Sequence, residues 1–305
     1  VMSWERLRVF AAVAEHTSIT AAAEALHLTR PAVSQHVRKL EREAGCRLVE
    51  PDGRGIRLTT AGQVLASAAR SITATVLDVE RDLANIHERI TGPLRVGAVT
   101  SALRAFVLDA LRTLTTRHPQ LDPALRDGEV IDLIPALRAR RLDAVVLESW
   151  SGWPARMPPG VALTDLFTED VELAVADDHP LAQRSVVRID ELHGQRWTSC
   201  PPGTEAHEAL VQTLRSHSVD ADVRYCMADY ATQLSAVAAG LASALVPRIA
   251  QSPRPAGVRY VPCEPAVTRT IAVATADSGS TPAVRALLAE LLRTTDRGEP
   301  APAPQ

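Results

Sequence analysis

Apolar positions in the first sixty residues recur at helical spacing. Leu7, Phe10, Ala11 and Ala14 form one stripe and predict a helix from Trp4 to Glu15. Ser18 is placed to cap a second, short helix over Ile19 to Leu26, whose run of alanines allows close packing. Thr29 is placed to cap a third, with Pro31 in the first turn, where a missing N–H costs nothing. In that third helix Val33, Val37 and Leu40 share one face, and Arg30, Ser34, Gln35, Arg38 and Arg42 share the other. Cys46 to Glu50 and Gly55 to Leu58, around a Pro51-Asp52-Gly53 turn, predict a two-stranded wing.

A longer pattern follows. Thr60 to Gln63 fits a capping box with Thr60 at the N-cap. Leu65, Ala69, Ile72, Val76, Val79, Leu83, Ile86 and Ile90 then alternate steps of four and three, about 39 Å of helix before Gly92-Pro93. Such a seam suits a straight partner helix of equal length, hence a dimer. The alternative is a helix laid on its own body.

Beyond residue 92 short apolar strands alternate with amphipathic helices. Strands are expected at Leu94–Val99, Leu121–Leu125, Leu142–Leu147, Val161–Leu166, Val171–Ala176, Ala242–Val246 and Thr270–Ala276. Helices are expected at Ala102–Arg117, Ile131–Arg140, Ala206–Ser216, Tyr230–Ala239 and Pro282–Thr294. This is an α/β pattern and predicts a parallel sheet. Proline-rich Trp150–Gly160 reads as a crossover, and the Pro-Ala tail 296–305 as disordered.

Composition narrows the function. A chain of 305 residues with 46% hydrophobic content can bury more than one core. Its net charge is −3, yet residues 1–60 hold eight arginines and Lys39 against seven acids, so that segment is +2 and the rest −5. That polarity suits a nucleic-acid head on an acidic body. No apolar run reaches the ~18 residues of a membrane span. The amphipathic start does not read as a signal peptide. Cys46, Cys200, Cys226 and Cys263 lie far apart without metal-ligand spacing, which predicts a reduced, cytoplasmic protein with no membrane partner. The nine histidines show no paired-ligand spacing, and no nucleophile elbow or phosphate loop is present, so neither cofactor nor enzyme activity is expected.

A helix about 10–12 Å across fits a major groove about 12 Å wide, and Ser34, Gln35 and Arg38 offer donors for bases and phosphates. The first sixty residues therefore read as a winged helix-turn-helix. A three-helix bundle with a merely solvated polar face has the same spacing.

The motifs decide between them. Phe10 to Leu26, Thr29 to Glu41 and Leu58 to Gly62 resemble the DNA-binding head of LysR-type transcriptional regulators. The resemblance implies contacts to double-stranded promoter DNA from Thr29, Arg30, Pro31, Ser34, Gln35 and Arg38. Leu48-Val49-Glu50-Pro51 departs from the family's usual entry to the wing, which carries an arginine, leaving Arg54 and Arg57 as partial replacements. Leu94 to Gly97, Leu173 to Val175 with His179 to Ala182, and Val237 to Pro247 extend the resemblance over nearly the whole chain. It implies a body of two α/β subdomains like those of periplasmic binding proteins, with an effector cleft between them. It also implies a homodimer or homotetramer paired through the linker helices, with RNA polymerase as a further partner.

The expected boundaries are a head over 1–59, a linker helix over 60–91 and an effector domain over 92–295. Subdomain I takes 92–162 and 266–295, and subdomain II takes 163–265. Thr100 and Ser101, after the first body strand, suit an anionic effector such as a carboxylate, though hydroxyls there also serve as helix caps. Thr198 and Thr204 hold the matching place in subdomain II, followed by Gly128, Glu148 and Trp150. Peroxide-sensing members of the family keep a reactive cysteine near Cys200 and a second soon after it; here the next is Cys226. A buried structural thiol is the preferred reading of Cys200 and a redox switch its alternative. A bilobal solute-binding protein or enzyme is the remaining one.

Overall fold

The computed structural model describes residues 2–53, 55–86, 90–277 and 281–296, in two compact units divided between Ile86 and His87. In the first unit α1 (Trp4–His16), α2 (Ile19–Ala25) and α3 (Arg30–Ala44) enclose Leu7, Val9, Phe10, Val13, Val33, Val37 and Leu40. The Ser18 hydroxyl accepts from Ala21 N at 3.3 Å and that of Thr29 from Ala32 N at 3.4 Å, so both expected caps are present. Gly45, at φ 69°, ends α3 in the left-handed conformation that glycine adopts without steric cost.

The wing pairs β1 (Val49–Asp52) antiparallel with β2 (Gly55–Leu58). It starts later than Cys46 because the Glu41 carboxylate takes the N–H groups of Leu48 (2.9 Å) and Val49 (3.4 Å), fixing the chain at that point. The expected Thr60 cap is also corrected. Thr59 caps α4 (Thr60–Ile86): its hydroxyl accepts from Gly62 N at 3.0 Å and donates to Arg47 O at 2.8 Å. A side chain at Gly62 would collide with the Leu48 carbonyl, so only glycine lets the helix start this close to the wing.

The second unit opens with β3 (Gly92–Ala98). A helical run follows: α5 (Thr100–Ala102), a π turn (Leu103–Val107) and α6 (Leu108–Arg117). Next come β4 (Leu121–Asp127), α7 (Val130–Arg138), β5 (Ala144–Trp150), β6 (Val161–Ala176), β7 (Val187–Arg188) and β8 (Arg196–Ser199). The chain continues through α8 (Glu205–Ser216), β9 (Asp222–Cys226), α9 (Tyr230–Ala238), β10 (Ala244–Pro247), β11 (Val258–Ala276) and α10 (Pro282–Asp296).

The main sheet runs β10-β6-β11-β5-β3-β4, with β7 joined to β11. It is mixed, which corrects the expected parallel sheet. Only β3 with β4, β3 with β5 and β7 with β11 are parallel, while β6 lies antiparallel to both β10 and β11. The reason is β11, which lies antiparallel to both β5 and β6: β3, β4, β5 and β6 run one way and β11 returns between the last two. The two extended pieces expected between 161 and 176 are one strand, and β11 is longer still. Both strands serve two subdomains. Phe167 and Ile271 pack with the core of β3, α6 and α10, whereas Val171 and Val267 pack with that of α8 and β8. The crossing therefore lies at 168–170 on β6, further along than residue 162, and at 268–270 on β11.

Candidate functional site

The first site is the outer face of α3. Val33, Val37 and Leu40 are buried, which turns Thr29, Arg30, Pro31, Gln35 and Arg38 to solvent and leaves Ser34 half-buried at the edge. No hydrogen bond or ion pair from a described residue holds the side chains of Arg30, Gln35 or Arg38. The inner basic residue is tied instead: Arg6 Nη2 donates to Glu43 Oε1 at 2.8 Å, pinning α1 to α3. On the wing, Arg57 Nη2 is bound to Glu50 Oε2 at 2.9 Å, both exposed, and Arg54 lies outside the described residues.

The linker seam divides. Ala69 is fully buried and Leu65 packs beside it in the core of the head, so these two serve the fold of one chain. Ile72 (42% exposed) and Val79 (53%) face outward, with Val76 half-buried. The side chains of Leu83 and Ile86 lie outside the described residues. Ile90 is corrected: it is not helical and packs against the core of the body, because the chain is already turning into β3.

The second site lies where β6 and β11 cross between subdomains. Arg269, fully buried on β11, is its centre. Its Nη1 donates to Glu148 Oε2 at 2.6 Å and to Ser101 Oγ at 3.1 Å. Its Nε and Nη2 reach Glu169 Oε1 at 3.0 and 2.6 Å, and the guanidinium lies 5.8 Å from the Trp150 ring centroid. Glu169 Oε2 accepts from Ile249 N at 2.8 Å, and Arg104 Nη2, from the π turn, donates to Ser252 O at 2.9 Å. Residues of both subdomains are thereby joined around one buried cation.

Beside this network is a cleft lined by Thr100, Ser101, Arg104, Glu129, Glu148, Cys200, Asp229 and Tyr230. It deepens into a recess walled by Trp150, Thr198, Cys200, Tyr230 and Gln233. Thr100, Ser101, Glu148, Trp150 and Thr198 are thus brought together, as the sequence suggested. Gly128 and Thr204 are not, and both are corrected. Gly128 closes on Leu133, where a Cβ would come within 3.3 Å of the Leu133 side chain. Thr204 caps α8 through His207 N (3.4 Å) and donates to Pro201 O (2.8 Å). Thr100 and Ser101 make no side-chain cap at their helix start.

Sequence reasoning missed Arg269, Glu169, Glu129, Tyr230, Asp229 and Arg104. Arg269 had a readable signal, since it is a lone charge beside the apolar strand positions Val267 and Ile271. A charge at such a place is tolerated only when paired. Glu129 sits where burial, then Glu148, Asp132 and Glu205, raise its pKa to about 7 against the weaker pull of Arg269. Burial, Glu129 and Glu148 push the Cys200 thiol far up, although Gln233 Nε2 reaches its sulfur at 3.4 Å. Among the described residues no His, Cys, Asp or Glu cluster could hold a metal ion, and no helix is long and apolar enough to cross a membrane.

Comparison with known proteins agrees with this division. Residues 4–63 match the bacterial regulatory helix-turn-helix protein family model, lysR family, and residues 87–296 match the LysR substrate binding domain. A hydrogen peroxide-inducible genes activator of Escherichia coli O157:H7 is 28% identical over 275 residues, 88% of each chain. A cysteine-to-aspartate variant of full-length OxyR from Pseudomonas aeruginosa superposes with TM-score 0.71 at 22% identity, covering 97% of this chain and 98% of that one. Full-length CbnR in complex with its target DNA gives TM-score 0.67 at 21% identity, covering 96% and 100%.

Proposed function

The chain belongs to the LysR family of bacterial helix-turn-helix regulators, and from that premise we infer that α3 reads promoter DNA under control of a small molecule held in the body's cleft. The observation that carries this reading is the outer face of α3. Three long donor side chains, Arg30, Gln35 and Arg38, stand exposed on a helix whose other face is locked into a core. Arginine is suited to guanine edges and phosphates, and glutamine to adenine. The wing contributes less, since Glu50 already occupies Arg57.

A second copy of the chain is the expected partner, through the outward stripe of Ile72, Val76 and Val79, in a dimer or a tetramer that also meets RNA polymerase in the cytoplasm. Control follows from linkage. An effector that favours one arrangement of the subdomains shifts the spacing of the heads by its differential affinity, and with it the DNA bend.

The relatives named for induction by hydrogen peroxide favour one other reading, a thiol sensor at Cys200. The chemistry of this thiol argues against it. A sensing cysteine needs thiolate character, whereas Cys200 is buried among carboxylates that hold it protonated. Cys226 is exposed and lines a different groove, with His207 and Arg215. Replacing Cys200 with Ser should leave the transcriptional response to peroxide as it is in the parent chain; a peroxide response that disappears with the thiol would restore the thiol reading.

The test of DNA reading is Arg38→Ala in a gel-shift titration across salt concentrations. Affinity should fall by about tenfold or more, the cost of a lost base or phosphate contact. Unchanged affinity with an unchanged salt slope would remove Arg38 from the reader.

A further inference from the structure

Charge in the cleft is unbalanced. The charged groups around Glu129 are Glu148, Asp132, Glu205 and Arg269, with Asp229 and Arg104 at the rim. Arg269 is neutralised by Glu148 and Glu169, while Arg104 makes one hydrogen bond, to Ser252 O, and is the one cleft guanidinium among the described residues outside an ion pair. No described residue offers the Glu129 carboxylate a hydrogen bond or an ion pair. Carboxylates thus outnumber guanidiniums around Glu129, which runs against the carboxylate ligand expected from Thr100 and Ser101.

A second observation shows that the recess is built to hold something polar. The Tyr230 hydroxyl, the Trp150 Nε1–H and the Thr198 hydroxyl are buried without a hydrogen-bond partner, and all three side chains line the recess. Exposure of these residues is 8%, 3% and 1%. Buried polar groups are ordinarily paired. Tyr230 and Cys200 line both the cleft and the recess, so the orphan groups and Glu129 border adjoining spaces.

We propose that this cleft takes a compact ammonium-bearing effector, its cation on the Glu129 carboxylate and a hydroxyl or carbonyl at its other end receiving the Trp150 Nε1–H. The proposal rests on the regulator reading above. Tyr230 and Thr198 complete the polar end, and the Arg269 network holds Glu148 so that it cannot fold away. Free space in the cleft is about 20 Å³, room for about one water molecule, so the proposal requires the cleft to widen when the effector enters.

A titration signature follows. Glu129 ionises near pH 7 in the free protein, and an ammonium binds only its ionised form. An aliphatic ammonium keeps its charge across this range. Affinity should therefore rise about tenfold per pH unit below 7 and level off above it.

Ethanolamine, ethane-1,2-diol and glycolate form a matched set of cationic, neutral and anionic probes. Each is titrated calorimetrically into the full-length chain at pH 6, 7 and 8, and the same samples are run in a gel shift on DNA flanking the chain's coding region. Ethanolamine should bind best, more tightly at pH 7 than at pH 6. Glu129→Gln should weaken it at least about tenfold and flatten its pH profile. Tyr230→Phe, which keeps the ring in place, should weaken it several-fold without flattening that profile. Glycolate or the diol binding as well as ethanolamine, absence of ethanolamine binding, or a wild-type profile in Glu129→Gln would overturn the proposal. If DNA is still bound in those cases, the regulator reading stands and only the cation site falls. Ethanolamine binding without any DNA binding would refute the regulator reading and keep the site.

Discussion

Arg269 shows what a single residue does in this chain. It is a fully buried guanidinium holding two carboxylates, one on β5 and one on β6, at 2.6 Å each. Removing one partner of a buried charge cluster costs about 3–5 kcal/mol, because the remaining charges have no solvent. Arg269→Met should lower unfolding free energy by about that much in urea titration, while Arg184→Met, which breaks an exposed pair with Glu191, should change it by less than about 1 kcal/mol. Glu129 acts in the opposite direction. Its pKa, raised to about 7 in the fold from 4.5, means the native state binds more protons than the unfolded one between those values. Stability from this group is thus full below pH 4.5 and lost as pH rises through 7. Glu129→Gln should raise the melting temperature by a few degrees at pH 8 and leave it unchanged at pH 4, measured by calorimetry. At this scale the sequence was half legible. Glu148 and Trp150 stood out as polar or aromatic residues at a strand end. Arg269 was legible only as a charge among apolar positions, because its partners Glu169 and Glu148 lie 100 and 121 positions away along the chain, and nothing local marked Tyr230.

Helices were easier to read than strands. Their apolar periodicity and their caps are local, and Ser18, Thr29 and Asp229 bind the N–H groups that such residues bind at helix starts. The length of β6 and β11 was not local. Each runs through polar residues at the crossing, Thr168 to Asp170 and Thr268 to Thr270, where alternation fails because the strand changes cores. The linker helix was read too generously at both ends, since Leu65 and Ala69 belong to the head and Ile90 to the body. What remains outward is a shorter stripe. Val79→Glu should put a charge into that stripe and convert the assembly to monomers in sedimentation, with the head still folded. Sedimentation at the parental mass would exclude the stripe from the interface.

Across the whole molecule, two functions are carried by two units whose cores are separate: a head whose exposed donors face outward and a body whose polar groups face inward. The resemblance to LysR-type regulators, carried by motifs in both head and body, is matched by family models over residues 4–63 and 87–296. It made the architecture legible where strand pairing was not. Arg104, on subdomain I, is tied to Ser252 of subdomain II beside the cleft. Arg104→Ala removes the contact to Ser252 and should favour the open arrangement, seen as faster amide exchange at residues 249–252. Regulation by this chain turns on two copies of α3 reading DNA together. Hydroxyl-radical footprinting on DNA flanking the coding region tests that most directly. Two protected half-sites should appear, their centres about one helical turn or a multiple of it apart, and both should vanish with Arg38→Ala. A footprint that survives Arg38→Ala unchanged, or a single unpaired site, would contradict it.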